Sequence, residues 1–334
     1  MKRNYILIIL GWLWLSSCTK EYSEEFVPYS NNPLNTDTVW RQPPSTGLAS
    51  NTIIAQELLL TPMVDSFDVN TGAIINFPDN LTISFPPNCC VGNYASSPGK
   101  IKVEVIWLKK KGDFIRHAKP TTSYNYLLQT GGSFNVLLSK NNIPLQLAPG
   151  VSYKLKYRNF SPSADMRFFY EESWTVGNDS AATWVPGYLP PNANVGTVNI
   201  WQQYDSSTQT IIKGYEMTSS RLRWVNCDFF NDTTQPFTRL NVSLPVNYTN
   251  VNTSVYVVFK SKNIVATLKS DLATKTFFLP RIPIGSDVTL VSISKIGNDY
   301  YLGKKDLTVL NANLNNISPE LKSLTEISNY LNSL

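Results

Sequence analysis

The amino-acid sequence predicts a mainly β protein: two antiparallel β-sandwich-like domains with a short C-terminal helix. Three observations carry that expectation. Apolar and polar residues alternate with a period of two through many short runs. Turn-forming segments rich in Gly and Pro separate those runs. Apolar residues recur at helical spacing only near the end of the chain.

Met1-Lys2-Arg3 is a short basic start, and Tyr5 to Leu15 is a nearly continuous apolar run. That run is shorter than the roughly 20 apolar residues a spanning helix needs, and with small residues at its end it has the three regions of a secretory signal peptide. Residues 1–17 are therefore read as a signal peptide. Leu15-Ser16-Ser17-Cys18 resembles a bacterial lipobox, which implies lipid attachment at Cys18 and cleavage before it. From Thr19 to Ser50 the chain is polar, with Pro28, Pro33, Pro43 and Pro44 and little periodicity, so 18–50 reads as a flexible tether. Glu21, Glu24 and Glu25 just after Cys18 resemble an acidic signal for outer-face export in Bacteroidetes lipoproteins. The expected location is the outer membrane, at the cell surface rather than in the periplasm.

Strand-like alternation begins beyond the tether. Leu81 to Phe85, Ile101 to Val105 and Val151 to Tyr157 each read as a half-buried strand, joined by turns such as Ala148-Pro149-Gly150. No helix of useful length is expected between them. These features set a first sandwich at 51–158. A second series at Leu240 to Leu244, Val255 to Phe259, Thr276 to Leu279 and Val288 to Ile293 sets a second, Ig-like sandwich at 236–312. Between them, 159–235 is read as an aromatic-rich connecting region. At 316–334, Ser318-Pro319-Glu320 offers a helix start with Pro in the first turn, and Leu321, Leu324, Ile327, Leu331 and Leu334 recur at helical spacing.

Hydrophobic residues make up 42% of the chain and charged residues 16%, enough to bury a sizeable core. The net charge of +5 falls to about +3 once Lys2 and Arg3 leave with the signal, too weak and scattered for a nucleic-acid surface. Apart from Cys18 the chain has Cys89, Cys90 and Cys227. One disulfide with a free thiol, a vicinal Cys89–Cys90 bridge, and three buried thiols all remain open. Neither metal nor cofactor is expected, because adjacent cysteines lack zinc-ligand spacing and the sole histidine, His117, is remote in sequence.

No catalytic pattern emerges. His117 has no nucleophile elbow beside it and reads as a structural histidine, exposed or hydrogen-bonded. Glu171 and Glu172 are adjacent, so on a strand they point to opposite faces. Gly131-Gly132 lacks the Lys-Ser/Thr of a phosphate loop and reads as a turn or bulge. Trp174, Trp184, Tyr188 and Trp201 are the candidate ligand-contacting aromatics, with core filling between the sandwiches as the competing reading. Thr38, Ser180 and Thr233 stand in triplets similar to Bacteroidetes O-glycosylation acceptors.

Several blocks in order carry a wider resemblance: Ile83 to Pro87, Gly99 to Val105, Lys111 to Phe114, Lys119 to Ser123, Leu127 to Phe134, Leu145 to Gly150, and Leu222 to Phe230. Together they resemble the ZU5-like β-sandwich of secreted and lipid-anchored Bacteroidetes proteins, with the tryptophan-asparagine-cysteine-aspartate block that follows it. The chain departs from that pattern at Pro87-Asn88-Cys89-Cys90, where relatives carry an Ala- and Gly-rich loop. The resemblance implies a cell-surface context and supplies no substrate. The resulting expectation is a non-catalytic scaffold or binding module of the envelope. Its membrane partner is reached through the N-terminal lipid, and its ligand is an envelope protein or glycan. A carbohydrate-binding or enzyme-accessory lipoprotein is the alternative.

Overall fold

The structure is a computed structural model that describes residues 38–41, 57–92, 99–176, 179–189, 195–231, 234–311 and 314–334, with the backbone alone for 173–176 and 179–182. The described chain is mainly β, in two antiparallel sandwiches with a short C-terminal helix.

The first sandwich begins with β1 (Met63–Phe67), β2 (Ala73–Phe77), β3 (Leu81–Phe85), β4 (Cys90–Val91) and β5 (Ile101–Leu108). A short helix, α1 (Lys111–Arg116), follows. Next come β6 (Thr122–Ser123), β7 (Tyr126–Lys140), β8 (Ile143–Pro144), β9 (Gln146–Leu147) and β10 (Tyr153–Arg158). Then β11 (Arg167–Val176), β12 (Asp179–Pro186), β13 (Gly196–Asp205), β14 (Thr210–Ser219) and β15 (Arg223–Phe230) complete it. Sheet I has the order β1-β5-β7-β15-β11-β12, and sheet II the order β13-β14-β10-β3-β2. The stretch 159–235 is thus no connector. Five of its strands complete both sheets: Phe168, Tyr170, Tyr215 and Val225 enter the core between them, while Phe169 and Phe230 pack on the other face of sheet I.

The second sandwich contains β16 (Phe237–Ser243), β17 (Thr253–Phe259), β18 (Val265–Thr267), β19 (Lys269–Asp271) and β20 (Thr276–Pro283). It continues through β21 (Asp287–Ile296), β22 (Asp299–Thr308), β23 (Leu314–Asn316) and β24 (Glu320–Lys322). Sheet III is ordered β19-β20-β16-β23 and sheet IV β18-β17-β21-β22-β24. This sandwich runs past the expected limit of 312, since β23 pairs parallel to β16 and β24 pairs with β22.

The closing helix α2 spans Leu324–Ser333 and starts later than expected. Glu320 to Lys322 pair as a strand with Tyr300 to Leu302, which takes Ser318-Pro319-Glu320 out of the helix. The start is fixed instead by a reciprocal cap: the Ser323 hydroxyl accepts from the Glu326 N–H at 3.2 Å, and the Glu326 carboxylate accepts from the Ser323 N–H at 2.8 Å. Ile327 and Leu331 are buried, while Leu321 is exposed on β24. Among the described residues no helix is long and apolar enough to cross a membrane.

The four larger sheets stack in the order II, I, IV, III. Phe134, Tyr157, Tyr215 and Val225 belong to the core between II and I. Val255, Val257, Phe277 and Leu290 belong to the core between IV and III. A third core joins the sandwiches, with Leu108, Phe114 and Ile115 from the first, Tyr256, Val258, Val291 and Ile293 from the second, and Ile327 and Leu331 from α2. The strand β17 is buried on both faces for this reason. The tether expected over 18–50 is not loose throughout: Trp40 packs against Phe277 at 5.0 Å, and Asn250 pairs with the Arg41 backbone in both directions, at 3.1 and 2.6 Å.

Candidate functional site

The chemistry-bearing residues collect where sheet I meets the second sandwich. After β5 the chain turns into α1, whose Asp113 carboxylate accepts from the N–H groups of Lys109 and Lys110 at 2.9 and 2.8 Å. Gly112 lies so close to α2 that a Cβ there would stand 1.9 Å from the Leu331 carbonyl oxygen, so only glycine permits this crossing. Arg116 is buried and donates to the carbonyls of Leu58 and Ser328 at 3.2 and 2.7 Å and to Asn332 Oδ1 at 2.8 Å. Beyond α1, backbone bonds run from Thr121 to Val265 at 2.7 Å and from Thr130 to Asn263 at 3.0 Å. Leu127 enters the core of the second sandwich.

His117 ends α1. Its Nε2 accepts from the Leu60 N–H at 3.2 Å, and its ring meets Trp224 edge-on at 5.7 Å. Burial pushes its pKa down to about 4, so the ring is neutral at pH 7. Lys119 reaches over the Trp224 ring at 5.1 Å and pairs with Glu171.

Along the same face of β15 lies a buried polar strip. Asn226 and Asp228 have no exposed surface. Asn226 Nδ2 donates to Asp228 Oδ2 at 2.5 Å, and the Thr130 hydroxyl donates to Asn226 Oδ1 at 3.1 Å. Thr130 Oγ1 in turn accepts from the Gly132 N–H at 3.0 Å. Burial holds the Asp228 carboxyl well above the usual carboxylate range. The strip depends on a bulge: Cys227 pairs with Gly132 while Asp228 pairs with Thr130, leaving Gly131 as the extra residue. Of the turn or bulge expected at Gly131-Gly132 the structure has the bulge, and a Cβ at Gly131 would press on Tyr215, Cys227 and Met166 at 3.1 to 3.3 Å.

The candidate aromatics do not gather into one surface. Trp184 is 3% exposed, and its Nε1 donates to the Pro120 carbonyl at 2.8 Å. Tyr188 is half-buried and meets Phe169 edge-on at 6.0 Å. Trp201 lies on the opposite side of the sandwich, on the outer face of sheet II. Its Nε1 is bound to the carbonyls of Tyr157 and Tyr215 at 3.2 and 3.1 Å, and Lys156 stands 4.2 Å over its ring. The Trp174 side chain lies outside what the structure describes. For Trp184 and Trp201, core filling and sheet packing account for the rings.

Cys89, Cys90 and Cys227 are free, buried thiols, with 3.2 Å between the sulfurs of the first two. Burial pushes the Cys227 thiol up. Glu171 is engaged by Lys119, and its neighbour Glu172 is exposed on the other face of β11. Thr38 is half-buried two residues before the docked Trp40. Cys18 and Thr233 lie outside the described residues, as does the Ser180 side chain. Among the described residues no group of three or more His, Cys, Asp and Glu could hold a metal ion.

Sequence reasoning missed Arg116, Gly112 and Trp40 as junction residues. The legible signal for the junction was the unbroken apolar run Val255 to Phe259, since a strand covered on both faces loses its alternation. The outer face of sheet II also carries a shallow open depression of about 470 Å³, with Ile74, Ser84 and Lys154 in its lining. No family model matches the chain, and no curated protein matches it.

Proposed function

We propose that the chain is a lipid-anchored, exported scaffold or binding module of a bacterial cell envelope, without catalytic activity. The observation that carries this reading is the stacking of four sheets through three successive cores, which makes the body one block rather than two hinged domains around a cleft. A block of this kind holds a surface at a fixed distance from its attachment point. The segment arriving from the tether is pinned to the second sandwich by Trp40 and Arg41.

The groups a hydrolase would employ have structural work instead. His117 accepts a backbone N–H and packs on Trp224, and Glu171 pairs with Lys119. A carbohydrate platform is less favoured, because Trp184 is buried and Trp201 is bound at its Nε1 and covered by Lys156.

Anchoring is tested with labelled palmitate, which should enter the wild type and be lost in Cys18→Ser. Equal labelling of both overturns the anchor. Protease added to intact cells should degrade the wild type, and replacing Glu21, Glu24 and Glu25 with alanine should restore protection. A wild type that resists while a surface control is degraded places the protein in the periplasm.

A further inference from the structure

We propose that the free edge of β13 is a self-association site, at which two copies of this chain join sheet II to sheet II as antiparallel strands through residues 199–205. The strand is the last of its sheet. All ten of its residues pair with β14, and among the described residues no strand pairs with its other edge. Half of its backbone N–H and C=O groups therefore point outward without a ladder partner.

Exposed edges are normally kept short or blunted with Lys, Pro or bulges. The other edges of this protein follow that rule. Both β1 and β2 are five residues long, sheets III and IV end in three-residue strands, and β12 ends at Pro186. By contrast β13 reads Gly-Thr-Val-Asn-Ile-Trp-Gln-Gln-Tyr-Asp, with no Pro, no basic residue and a single charge at its last position. Its first residue is covered, since a Cβ at Gly196 would stand 2.6 Å from the Phe168 ring of β11. Val198 still packs on the core, and from Gln202 onward the strand extends beyond the β10 pairing of β14 as a two-stranded hairpin.

The side chains there favour a second copy as occupant. Ile200, Tyr204 and Ile211 are 46%, 63% and 63% exposed. They share one face, because Tyr204 sits opposite Ile211 and Ile200 is four residues away on the same strand. A two-fold axis perpendicular to the sheet at Gln202 places Ile200 of each copy opposite Tyr204 of the other, with Ile211 flanking both pairs. The same register sets Trp201 against Gln203 and Asp205 against Asn199, so the two acids never meet. The strand is thus complementary to itself in charge and in apolar pattern, and the product is a continuous sheet built from two five-stranded ones.

The test uses the full chain extracted from membranes in mild detergent. Gln202→Cys should form a reducible dimer under mild oxidation, whereas Thr82→Cys, on a central strand of sheet II, should not. In sedimentation at micromolar concentration the wild type should be dimeric. Gln202→Lys, which lines up four cations with the Lys213 that stands opposite residue 202 in each copy, should weaken the dimer by about tenfold or more, and mixing it with Gln202→Glu should restore association. A monomeric wild type with no cross-linked dimer overturns the proposal. So does a dimer indifferent to Gln202→Lys, or a Gln202→Cys adduct to some other protein in place of a second copy.

Discussion

Two strands of the first sandwich carry the same spacing of outer-face residues and meet opposite fates. On β15 the residues are Trp224, Asn226 and Asp228, and on β13 they are Trp201, Gln203 and Asp205. Both strands belong to the same sandwich, β15 packing on its core through Val225 and Cys227 and β13 through Val198 near its start. Asn226 and Asp228 are nevertheless fully buried, while Gln203 is exposed. The acids titrate in opposite directions: burial raises Asp228, whereas hydrogen bonds from Ser207 and Thr208 lower Asp205. The difference lies outside the strands: among the described residues a second sandwich and α2 cover sheet I, and no element covers the outer face of sheet II. Alternation in a sequence reports which face of a sheet meets its own core. What covers the other face is decided by elements elsewhere in the chain.

The comparison breaks most severely if the cover is lifted. Gly112→Val drives a side chain into the backbone of α2, and denaturant unfolding should show a loss of about 4 kcal/mol or more. Ile74→Ala on the bare sheet should change stability by less than about 0.5 kcal/mol. Similar effects at both sites would mean that the junction contributes no more than open surface does.

Acid should sharpen the contrast. His117 has a folded pKa of about 4, below its ordinary 6.5, so the unfolded chain binds the extra proton as pH falls between those values. Stability assigned to this residue is complete above about 6.5 and declines toward pH 4, by about 3 kcal/mol in total. Asp228 acts oppositely, since a raised carboxyl favours folding at low pH and loses that contribution as pH rises. The informative quantity is therefore the difference between wild type and His117→Gln across this range, in which the Asp228 contribution cancels. A flat difference would show that His117 is solvated in the folded protein.

A smaller effect should separate the two amides. Asn226→Ala strips partners from Thr130 and Asp228 and should cost about 2 kcal/mol, whereas Gln203→Ala should cost less than about 0.5 kcal/mol. Equal costs in thermal melts would contradict the buried strip.

Much of this was legible in the sequence. Alternation located β3, β5, β10, β16 and β21, short apolar runs located β17 and β20, and the glycine pair marked the place of a turn or bulge, which is the bulge opposite Cys227. The stretch 159–235 reads as a connecting region because runs such as Arg167-Phe168-Phe169-Tyr170 lack the alternation that assigns a strand to one sandwich, being apolar toward both faces of sheet I. The helix start was displaced because Ser318-Pro319-Glu320 and Ser323-Leu324-Thr325-Glu326 are both acceptable starts, and only the pairing of β24 with β22 chooses between them. The junction residues Gly112, Arg116 and Trp40 gave no local signal, since each acts on a partner more than 200 residues away.

The central claim is that the two sandwiches unfold as one block because they share a buried core. Calorimetry of the purified chain tests it most directly, with Leu331→Ala in α2 as the perturbation. The account predicts one transition whose calorimetric and van't Hoff enthalpies agree, moved to lower temperature as a whole by the substitution. Two separate transitions, only one of which moves, would contradict it.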